Sequence, residues 1–473
     1  MANKKKKIKL RYGRIAAALG VLAAIVVLIY YIIIGGIALF NWIFCSSEDA
    51  EKEGNKPKVV VTPEMRACDE AMARRLDSLM HLPQTLDTSL IAISVYDVTT
   101  ESQVYEHLAD KSMAPASCMK VATAVAALKT LGMNYRYNVS LQVRGEMKGD
   151  TLVGNLLLVA DDDPLFEDFT PLFNNLKRKG INNIRGNIYL NLAREDTLKA
   201  HPTGKTWDIP YHKAPLLMKG KERIHKTFMA SMHINGVSYK HDPSVNSVNA
   251  KGKFGGTRYH YVARITHDIK EIITPMLIHS SNVKADALFY HLDWKKGILP
   301  EKEMMWDRKH FTEIFWNDIL SPADSTKCLY PRPFKAQLAY KDGSGLSPDN
   351  RLTANTLVDM LRYTWDDKPL RDYFIKEALA SPGCPRSGSL KTRMARPEYI
   401  NRIFVKTGTL VTKGGSSLSG YLQGSDGHWY IFSIIHEDSP VADARIFQDR
   451  LCKMMMGREA KSVNANGERE FPI

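Results

Sequence analysis

The sequence predicts an α+β protein whose main domain packs helices on an antiparallel sheet, with an inserted mixed subdomain and one N-terminal transmembrane helix. Three patterns support this prediction: an uncharged apolar run near the N-terminus, an alanine-rich helix after a proline-containing loop, and three strand-like segments before a final helix. The chain of 473 residues is long enough for two or three folded units. Its hydrophobic content of 44% and charged content of 25% are typical of globular proteins.

The apolar run extends from Ile15 to Phe44 and contains no charged residue. A helix of about 20 apolar residues crosses a bilayer, whereas the apolar part of a cleavable signal peptide is only about 7–15 residues long. A lysine- and arginine-rich flank precedes the run, and such a flank stays in the cytoplasm. We therefore expect a cytoplasmic basic tail at 1–14, a single-pass anchor in the cytoplasmic (inner) membrane at 15–44, and the remaining chain in the periplasm or cell envelope. A buried helix of a soluble domain is the alternative interpretation.

Polar and charged residues at 45–61 are typical of a linker, and the main domain is expected to begin at Thr62. Thr62 followed by Pro63 is a favoured helix start, because the threonine side chain caps the helix and proline lacks an N–H that the first turn would leave unpaired. Further along, branched apolar residues predict a strand over 90–96 with a hairpin partner at 103–106.

Short strands separated by turns replace this pattern at 138–258, which predicts the inserted subdomain. The discontinuous main domain is therefore expected to comprise 62–137 and 259–473. Its second part begins with two helices that are broken near Ser280–Asn282, and it contains three strands at antiparallel spacing. A helix from Val441 to Met455 ends the predicted fold.

Cysteine usage and charge limit the cofactors and partners. The chain contains Cys45, Cys68, Cys118, Cys328, Cys384 and Cys452. These could form disulfides in an oxidising compartment, but nothing in their spacing selects one pairing. No CxxC pair or Cys/His cluster has metal-ligand spacing, so no structural zinc is predicted. The net charge of +14 is not accompanied by interleaved basic and aromatic residues, so nucleic-acid binding is not predicted.

The first candidate catalytic pair is Ser117 and Lys120, in the sequence Ser-Cys-Met-Lys. Residues three apart at the start of a helix share a face, so the lysine amine can reach the serine hydroxyl and serve as its base. A second Ser-x-x-Lys match occurs at Ser281 and Lys284, but only the first opens an alanine-rich helix. Cys118 beside the serine is predicted to be a small buried core residue and not a reactive thiol.

Two further motifs complete the candidate site. Ser280 and Asn282 form the one Ser-x-Asn match that lies at a break between two apolar helices. Lys406, Thr407 and Gly408 lie on a predicted strand, where the lysine and the threonine offer a cation and a hydroxyl to a carboxylate. The glycine would let a substrate backbone approach the strand edge. The order and settings of the three motifs are those of penicillin-binding proteins and serine β-lactamases.

Three longer segments carry a more specific resemblance: GNLLLVADDDPLF, YKDGSGLSPDNRLT and VKTGTLVTKGGSSLSGYL. With the motifs, they resemble the D-alanyl-D-alanine carboxypeptidase/endopeptidase family, the class C low-molecular-mass penicillin-binding proteins, over residues 60–455. The DGSGLS sequence within Tyr340 to Thr353 separates this family from β-lactamases better than the catalytic motifs do. The resemblance implies a penicillin-binding/serine β-lactamase-like transpeptidase fold. Ala160 to Asp163 stands where the family has a glycine-rich run, and the shorter distance between the first two motifs indicates a remodelled insert.

The resemblance implies a serine D-Ala-D-Ala carboxypeptidase that acts on peptidoglycan stem peptides through an acyl-enzyme and is acylated by penicillins and other β-lactams. Ser117 would attack the peptide carbonyl, Lys120 would act as base, and Ser280 would relay the proton to the leaving amine. This reaction would need no metal or organic cofactor. Backbone N–H groups of Ser117 and Thr409 would form the oxyanion hole. The implied catalytic residues are Ser117, Lys120 and Ser280, and the implied substrate-binding residues are Asn282, Lys406, Thr407, Gly408 and Thr409.

Two alternatives stay open. A serine β-lactamase-like hydrolase would need rapid deacylation by a carboxylate beside the acyl bond, and the sequence does not identify one. A catalytically inactive envelope scaffold that binds wall peptide could carry the same motifs. The sequence does not decide the balance between carboxypeptidase and endopeptidase activity, the stem-peptide preference, the disulfide pairing or the oligomeric state.

Overall fold

Two β-sheets and the helices packed on them make up the part of the chain that the structure describes. The structure is a computed structural model, and it describes residues 60–82, 85–200, 202–203, 214–247, 258–295 and 338–457. The expected tail and anchor, and all but the end of the expected linker, lie outside the described residues. Within those ranges, no helix has both the length and the apolar character that a membrane crossing requires.

The helices and strands are numbered in chain order. The helices are α1 Pro63–His81, α2 Met119–Leu131, α3 Thr170–Arg178, α4 Lys221–Ile234, α5 Ile269–Ile278, α6 Asn282–Lys295, α7 Ala354–Asp366, α8 Lys368–Tyr373 and α9 Val441–Met455. The strands are β1 Ile91–Asp97, β2 Ser102–His107, β3 Arg136–Lys148, β4 Thr151–Ala160, β5 Asn183–Ile184, β6 Ile188–Leu192, β7 Ser238–Tyr239, β8 Ser244–Ser247, β9 His260–Asp268, β10 Ile403–Leu410, β11 Gly415–Gln423 and β12 Trp429–His436.

The first sheet is antiparallel throughout, with the strand order β10-β11-β12-β1-β2. Helices cover both faces, because α2, α5, α6 and α7 line the core on one face while α1 and α9 line the core on the other. Every residue of β1 is consequently buried. The predicted packing of helices on an antiparallel sheet is confirmed, and β10 lies at the edge of this sheet.

Local signals explain where the helices of this layer begin and end. As predicted, the Thr62 side chain caps α1 by accepting a 3.3 Å hydrogen bond from the Met65 N–H. Helix α2 ends at Leu131, and Gly132 follows as its C-cap with a φ of 85°, a conformation that glycine adopts without steric cost. The predicted break between two helices is also present, since α5 ends at Ile278 and α6 begins at Asn282.

The second sheet is mixed, as predicted, and has a hydrophobic core of its own built on α3 and α4. Strand β3 pairs antiparallel with β4 and β9, whereas β5 and β6 run parallel to β4. The strands of this sheet extend along the chain from Arg136 to Asp268, beyond the expected range of 138–258 at both ends. Helix α4 was not predicted, although Ile224, Phe228 and Met232 form its buried face at helical spacing.

The described residues from Val61 onward belong to one compact unit. The second sheet joins the helices of the first through the connections from α2 to β3 and from β9 directly into α5. This continuity matters for the site, because α2 and the α5–α6 junction both carry candidate catalytic residues. The division into a main domain of 62–137 and 259–473 with an insert at 138–258 stays a prediction.

Candidate active site

Ser117 lies in a single 3-10 turn, Ala116–Cys118, that leads directly into α2. The residue before it, Ala116, has a φ of 47°, a left-handed conformation that non-glycine residues rarely adopt. Lys120 follows in the first turn of α2 and is fully buried. Its Nζ lies 3.0 Å from the Ser117 Oγ. The helical spacing therefore brings the predicted hydroxyl and amine into direct contact.

The Lys120 amine is held by two further acceptors from distant parts of the chain. Its Nζ donates to the Asn282 Oδ1 at 2.8 Å and to the backbone carbonyl of Ser344 at 2.5 Å. Asn282 is the first residue of α6, and Ser344 belongs to the segment before α7. The amine is thus fixed between the serine hydroxyl, an amide oxygen and a carbonyl oxygen.

The surroundings of Lys120 favour its neutral form. Burial is the main cause, and the positive charge of Lys406 adds to it; together they lower the pKa of Lys120 to about 7. The carboxyl groups of Asp286 and Asp342 act in the opposite direction. An amine with this pKa is partly neutral near pH 7 and can accept a proton from the neighbouring hydroxyl.

Ser280 and Lys406 form a second hydroxyl–amine pair. Ser280 lies in the short connection between α5 and α6 with a φ of 56°, and its Oγ accepts a 3.0 Å hydrogen bond from the Lys406 Nζ. The same amine donates to the backbone carbonyl of Thr407 at 2.7 Å. Burial lowers the pKa of Lys406 to about 8. The three predicted motifs therefore meet at one place.

The second Ser-x-x-Lys match has a different geometry. The Ser281 Oγ accepts a 3.4 Å hydrogen bond from the backbone N–H of Lys284, which is an arrangement typical of a helix start. Cys118 is fully buried, and its Sγ donates to the backbone carbonyl of Lys406 at 3.2 Å. It is a core residue, as the sequence predicted.

Gly408 has a structural requirement that differs from the expected one. A Cβ at this position would lie 2.1 Å from the Ser417 Oγ, 2.9 Å from the Pro115 carbonyl oxygen and 3.0 Å from the Ser117 nitrogen. The missing side chain therefore faces the turn that carries Ser117. Glycine therefore allows β10 to pack against this turn. The sequence pattern alone instead predicts that the glycine makes room for the substrate backbone.

Thr407 and Thr409 project hydroxyls from the same side of β10, because side chains two residues apart on a strand share a face. The Thr407 Oγ1 shares a 2.5 Å hydrogen bond with the Ser389 Oγ. The Thr409 Oγ1 accepts a 3.0 Å hydrogen bond from the Arg445 Nη2, on α9. Ser389 and Arg445 were not predicted, because neither belongs to a recognisable motif.

The segment from Tyr340 to Thr353 supplies one of the hydrogen-bond acceptors of the Lys120 amine. The Asp342 carboxylate accepts hydrogen bonds from the backbone N–H groups of Ser344, Gly345 and Ser347, which folds the segment into a tight loop. This loop presents the Ser344 carbonyl to Lys120. The sequence drew attention to the segment as a family signature but did not indicate this contact.

Asp286, on α6, is a second buried carboxyl beside this loop. Its Oδ1 accepts a 3.0 Å hydrogen bond from the Gly343 N–H. Burial and the adjacent Asp342 raise the pKa of Asp286 well above its ordinary value. Asp286 thus ties the loop to α6.

One group of side chains in the described ranges has the proximity of metal ligands: Asp69, Asp97 and His428, whose ligand atoms lie within 4.8 Å of one another. The His428 Nδ1 and the Asp97 Oδ2 share a 2.5 Å hydrogen bond, and Asp69 accepts hydrogen bonds from two hydroxyl groups. Within the described residues, none of the three forms a hydrogen bond with a candidate catalytic residue. We assign them no role in the reaction.

Known proteins are similar to this chain in sequence and in fold. A sequence profile of the D-Ala-D-Ala carboxypeptidase 3 (S13) family matches residues 72–211 and 335–455. A D-alanyl-D-alanine carboxypeptidase from Actinomadura sp. (strain R39) is 21% identical over 459 residues, which covers 76% of this chain and 80% of the relative.

Solved structures support the same fold. Penicillin binding protein 4 from Haemophilus influenzae matches with a TM-score of 0.62 at 16% identity, covering 81% of this chain and 99% of that one. A predatory peptidoglycan endopeptidase from Bdellovibrio bacteriovorus matches with a TM-score of 0.51 at 16% identity, covering 77% and 92%. The matched profile spans more than half of the chain and includes Ser117, Lys120 and Lys406. The chain therefore belongs to the D-Ala-D-Ala carboxypeptidase 3 (S13) family.

Proposed function

We propose that this chain is a serine D-Ala-D-Ala carboxypeptidase that cleaves the last peptide bond of peptidoglycan stem peptides. The observation that carries the proposal is the contact between the Ser117 Oγ and the Lys120 Nζ at 3.0 Å. A buried lysine whose pKa is lowered to about 7 can serve as the base that a serine nucleophile needs. The family membership of the chain supports the same activity.

In the first step Lys120 takes the hydroxyl proton while the Ser117 Oγ forms a bond to the carbonyl carbon between the two D-alanines. The tetrahedral intermediate then collapses, the C–N bond breaks, and the leaving amine receives a proton through Ser280. This role suits Ser280 because Lys406 lies 3.0 Å from its hydroxyl. Water releases the acyl group from Ser117 in the second step and regenerates the serine.

Backbone N–H groups of Ser117 and Thr409 would form the oxyanion hole. The close packing of β10 against the nucleophile turn at Gly408 supports this role. It places the strand that carries Thr409 next to the turn that carries Ser117. Each such donor lowers the barrier substantially, since removing one costs about 100- to 1000-fold in rate. Asn282 would bind the substrate amide, while the strand that carries the Lys-Thr-Gly motif would offer the Thr407 hydroxyl to the terminal carboxylate.

Penicillins would acylate the same serine, because their strained amide and carboxylate resemble the D-Ala-D-Ala end. The similar Haemophilus influenzae protein has been solved in complex with a β-lactam. Labelling with a fluorescent penicillin tests the assignment: wild-type protein should be labelled and Ser117→Ala should not. Ser281→Ala is the matched control and should label normally. Retained labelling of Ser117→Ala would contradict the proposed nucleophile.

The reaction itself is tested with purified muropeptides and mass spectrometry. Loss of one D-alanine from a pentapeptide is the expected product of the carboxypeptidase. Cleavage of cross-linked dimers would add endopeptidase activity, which the name of the similar Bdellovibrio bacteriovorus protein records for that protein. Labelling without any cleavage would instead favour a wall-peptide-binding scaffold. Rapid turnover of a chromogenic cephalosporin would favour a β-lactamase-like hydrolase.

We also propose that the protein is a single-pass protein of the cytoplasmic membrane with its catalytic domain in the periplasm or cell envelope. The uncharged run at 15–44 and the basic flank at 1–14 support this location. The proposed substrate supports it as well, because peptidoglycan lies outside that membrane. Under this proposal the linker at 45–61 separates the anchor from the catalytic domain.

A further inference from the structure

Arg445 is an exposed residue on α9 whose guanidinium reaches the strand that carries the Lys-Thr-Gly motif. Its Nη2 donates a 3.0 Å hydrogen bond to the Thr409 Oγ1. Strand β10 is an edge strand, so a peptide substrate can lie against it. The guanidinium therefore stands at the open side of the proposed substrate site.

No carboxylate neutralises Arg445 among the described residues. Two other arginines differ in this respect: Arg393 forms an ion pair with Asp449 at 2.6 Å, and Arg351 forms one with Glu437 at 3.2 Å. The one side-chain partner of Arg445 in the described ranges is a neutral hydroxyl. A guanidinium has five N–H donors in a planar fork that matches a carboxylate, so most of its donors remain available.

Lys406 alone is poorly placed to neutralise a substrate carboxylate. It is only 1% exposed, and its amine already donates to the Ser280 Oγ and the Thr407 carbonyl. Alternation along β10 sends the Thr407 and Thr409 side chains to the opposite face from Lys406, toward α9. A carboxylate bound by these two hydroxyls would lie on the side of the strand where Arg445 is the available cation.

We propose that Arg445 is a specificity-determining residue that recognises the free C-terminal carboxylate of the substrate. This inference rests on the proposed carboxypeptidase function and deepens it. Arg445 and the Thr409 hydroxyl together hold the carboxylate of the last D-alanine, with Thr407 beside them. The enzyme consequently prefers a leaving residue that carries a free carboxylate over one whose carboxyl group is amidated, because the amide offers no negative charge at this position.

The test compares two substrates in wild-type, Arg445→Ala and Arg445→Lys proteins. One is a tripeptide that ends in D-Ala-D-Ala with a free carboxylate, and the other is its C-terminal amide. Losing a charge-assisted hydrogen bond to the carboxylate should lower kcat/KM for the free acid by about 10- to 100-fold in Arg445→Ala. The value for the amide should stay within about 3-fold of wild type. Arg445→Lys should lie between the two, because it keeps the charge but loses the fork.

Arg450→Ala on the same helix is the matched control and should leave both substrates unchanged. Thermal unfolding checks that each variant is folded, and rates of acylation by a penicillin and by its methyl ester provide a second acid-to-neutral comparison. An equal loss on acid and amide would overturn the proposal, since it would indicate that Arg445 only positions Thr409. An unchanged acid-to-amide ratio would also overturn it. A wild-type protein that neither cleaves the acid nor reacts with penicillin would instead refute the proposed function.

Discussion

Two buried amines with unequal pKa values stand at the centre of the proposed chemistry. Lys120 lies between the Ser117 hydroxyl and two oxygen acceptors, and Lys406 lies beside the Ser280 hydroxyl. Both amines are buried and their like charges repel, so protonation of one disfavours protonation of the other. Lys406 keeps its proton to a higher pH, which suits one amine to act as a base and the other as a cation.

The pH dependence of acylation follows from this difference. Lys120 accepts a proton only when neutral, so the rate should rise as the pH increases through about 7. Lys406 supplies a positive charge only when protonated, so the rate should fall as the pH increases through about 8. The second-order rate constant for fluorescent penicillin should therefore form a narrow bell, whose two limbs belong to the coupled pair.

Lys406→Arg provides the control, because a guanidinium stays charged at high pH. In this variant the alkaline limb should move to higher pH while the acidic limb remains. A rate constant that does not change across both limbs in the wild type would contradict the assignment of Lys120 as the base.

Gly345 is the residue where the family-signature loop touches the nucleophile turn. It has a φ of 78°, and a Cβ there would lie 1.8 Å from the Ala116 carbonyl oxygen. Gly345→Ala should therefore displace the turn that holds Ser117 and lower penicillin acylation by at least about 10-fold, with a loss of stability of about 1–3 kcal/mol. Acylation kinetics and chemical denaturation measure the two effects.

Gly427 offers a comparison for this substitution. It also has a positive φ, 85°, but no atom lies within 4 Å of its added Cβ. Gly427→Ala should show the backbone cost alone and acylate at the wild-type rate. If both variants acylated equally, contact between the loop and the nucleophile turn would not matter for the site.

At the scale of elements, a buried aspartate–histidine pair joins the segment after β4 to α6, the helix that begins at Asn282. Asp162 and the His291 Nδ1 are hydrogen-bonded, and both side chains are fully buried. Burial alone would raise the pKa of Asp162, but the adjacent His291 holds it below its ordinary value. The favourable contribution of this carboxylate is therefore present above the ordinary pKa of aspartate and is lost as the pH falls through the lowered one.

Breaking this pair should destabilise the fold strongly, because it leaves His291 buried without its carboxylate partner. Asp162→Ala should lower the free energy of unfolding by about 3–5 kcal/mol at pH 7, measured by chemical denaturation. Asp372→Ala removes an exposed partner of Lys376 and should cost no more than about 1 kcal/mol. Equal losses in the two variants would show that the buried pair contributes nothing special to the connection between the second sheet and α6.

At the scale of the whole molecule, the remaining prediction concerns the proposed anchor at 15–44. Full-length protein should sediment with membranes at high salt and be released only by detergent, because burial of about 20 apolar residues is independent of ionic strength. Replacing Val26 and Leu28 by Asp should release the protein, since a charged side chain at the centre of a bilayer costs about 2.5–3.5 kcal/mol. A variant whose basic tail alone is neutralised should remain in the membrane fraction; its release would favour electrostatic attachment over insertion.

The sequence by itself determined much of the element structure around the site. Thr62 with Pro63 predicted the start of α1, and the predicted bounds of the last helix agree with those of α9. The motif residues Ser117 and Lys120 were predicted to meet because residues three apart on a helix share a face. Such signals depend on near neighbours in the chain, so they can be read without knowing the fold.

Only the tertiary structure decided which distant groups complete the site. The Ser344 carbonyl beside Lys120, the packing of Gly408 against the nucleophile turn, and the reach of Arg445 to Thr409 have no counterpart in local spacing. Each contact joins elements far apart in the sequence, and its geometry depends on how several layers of side chains pack at once. For this reason the motifs predicted the chemistry, whereas the fold decided which side chains neutralise, orient and enclose it.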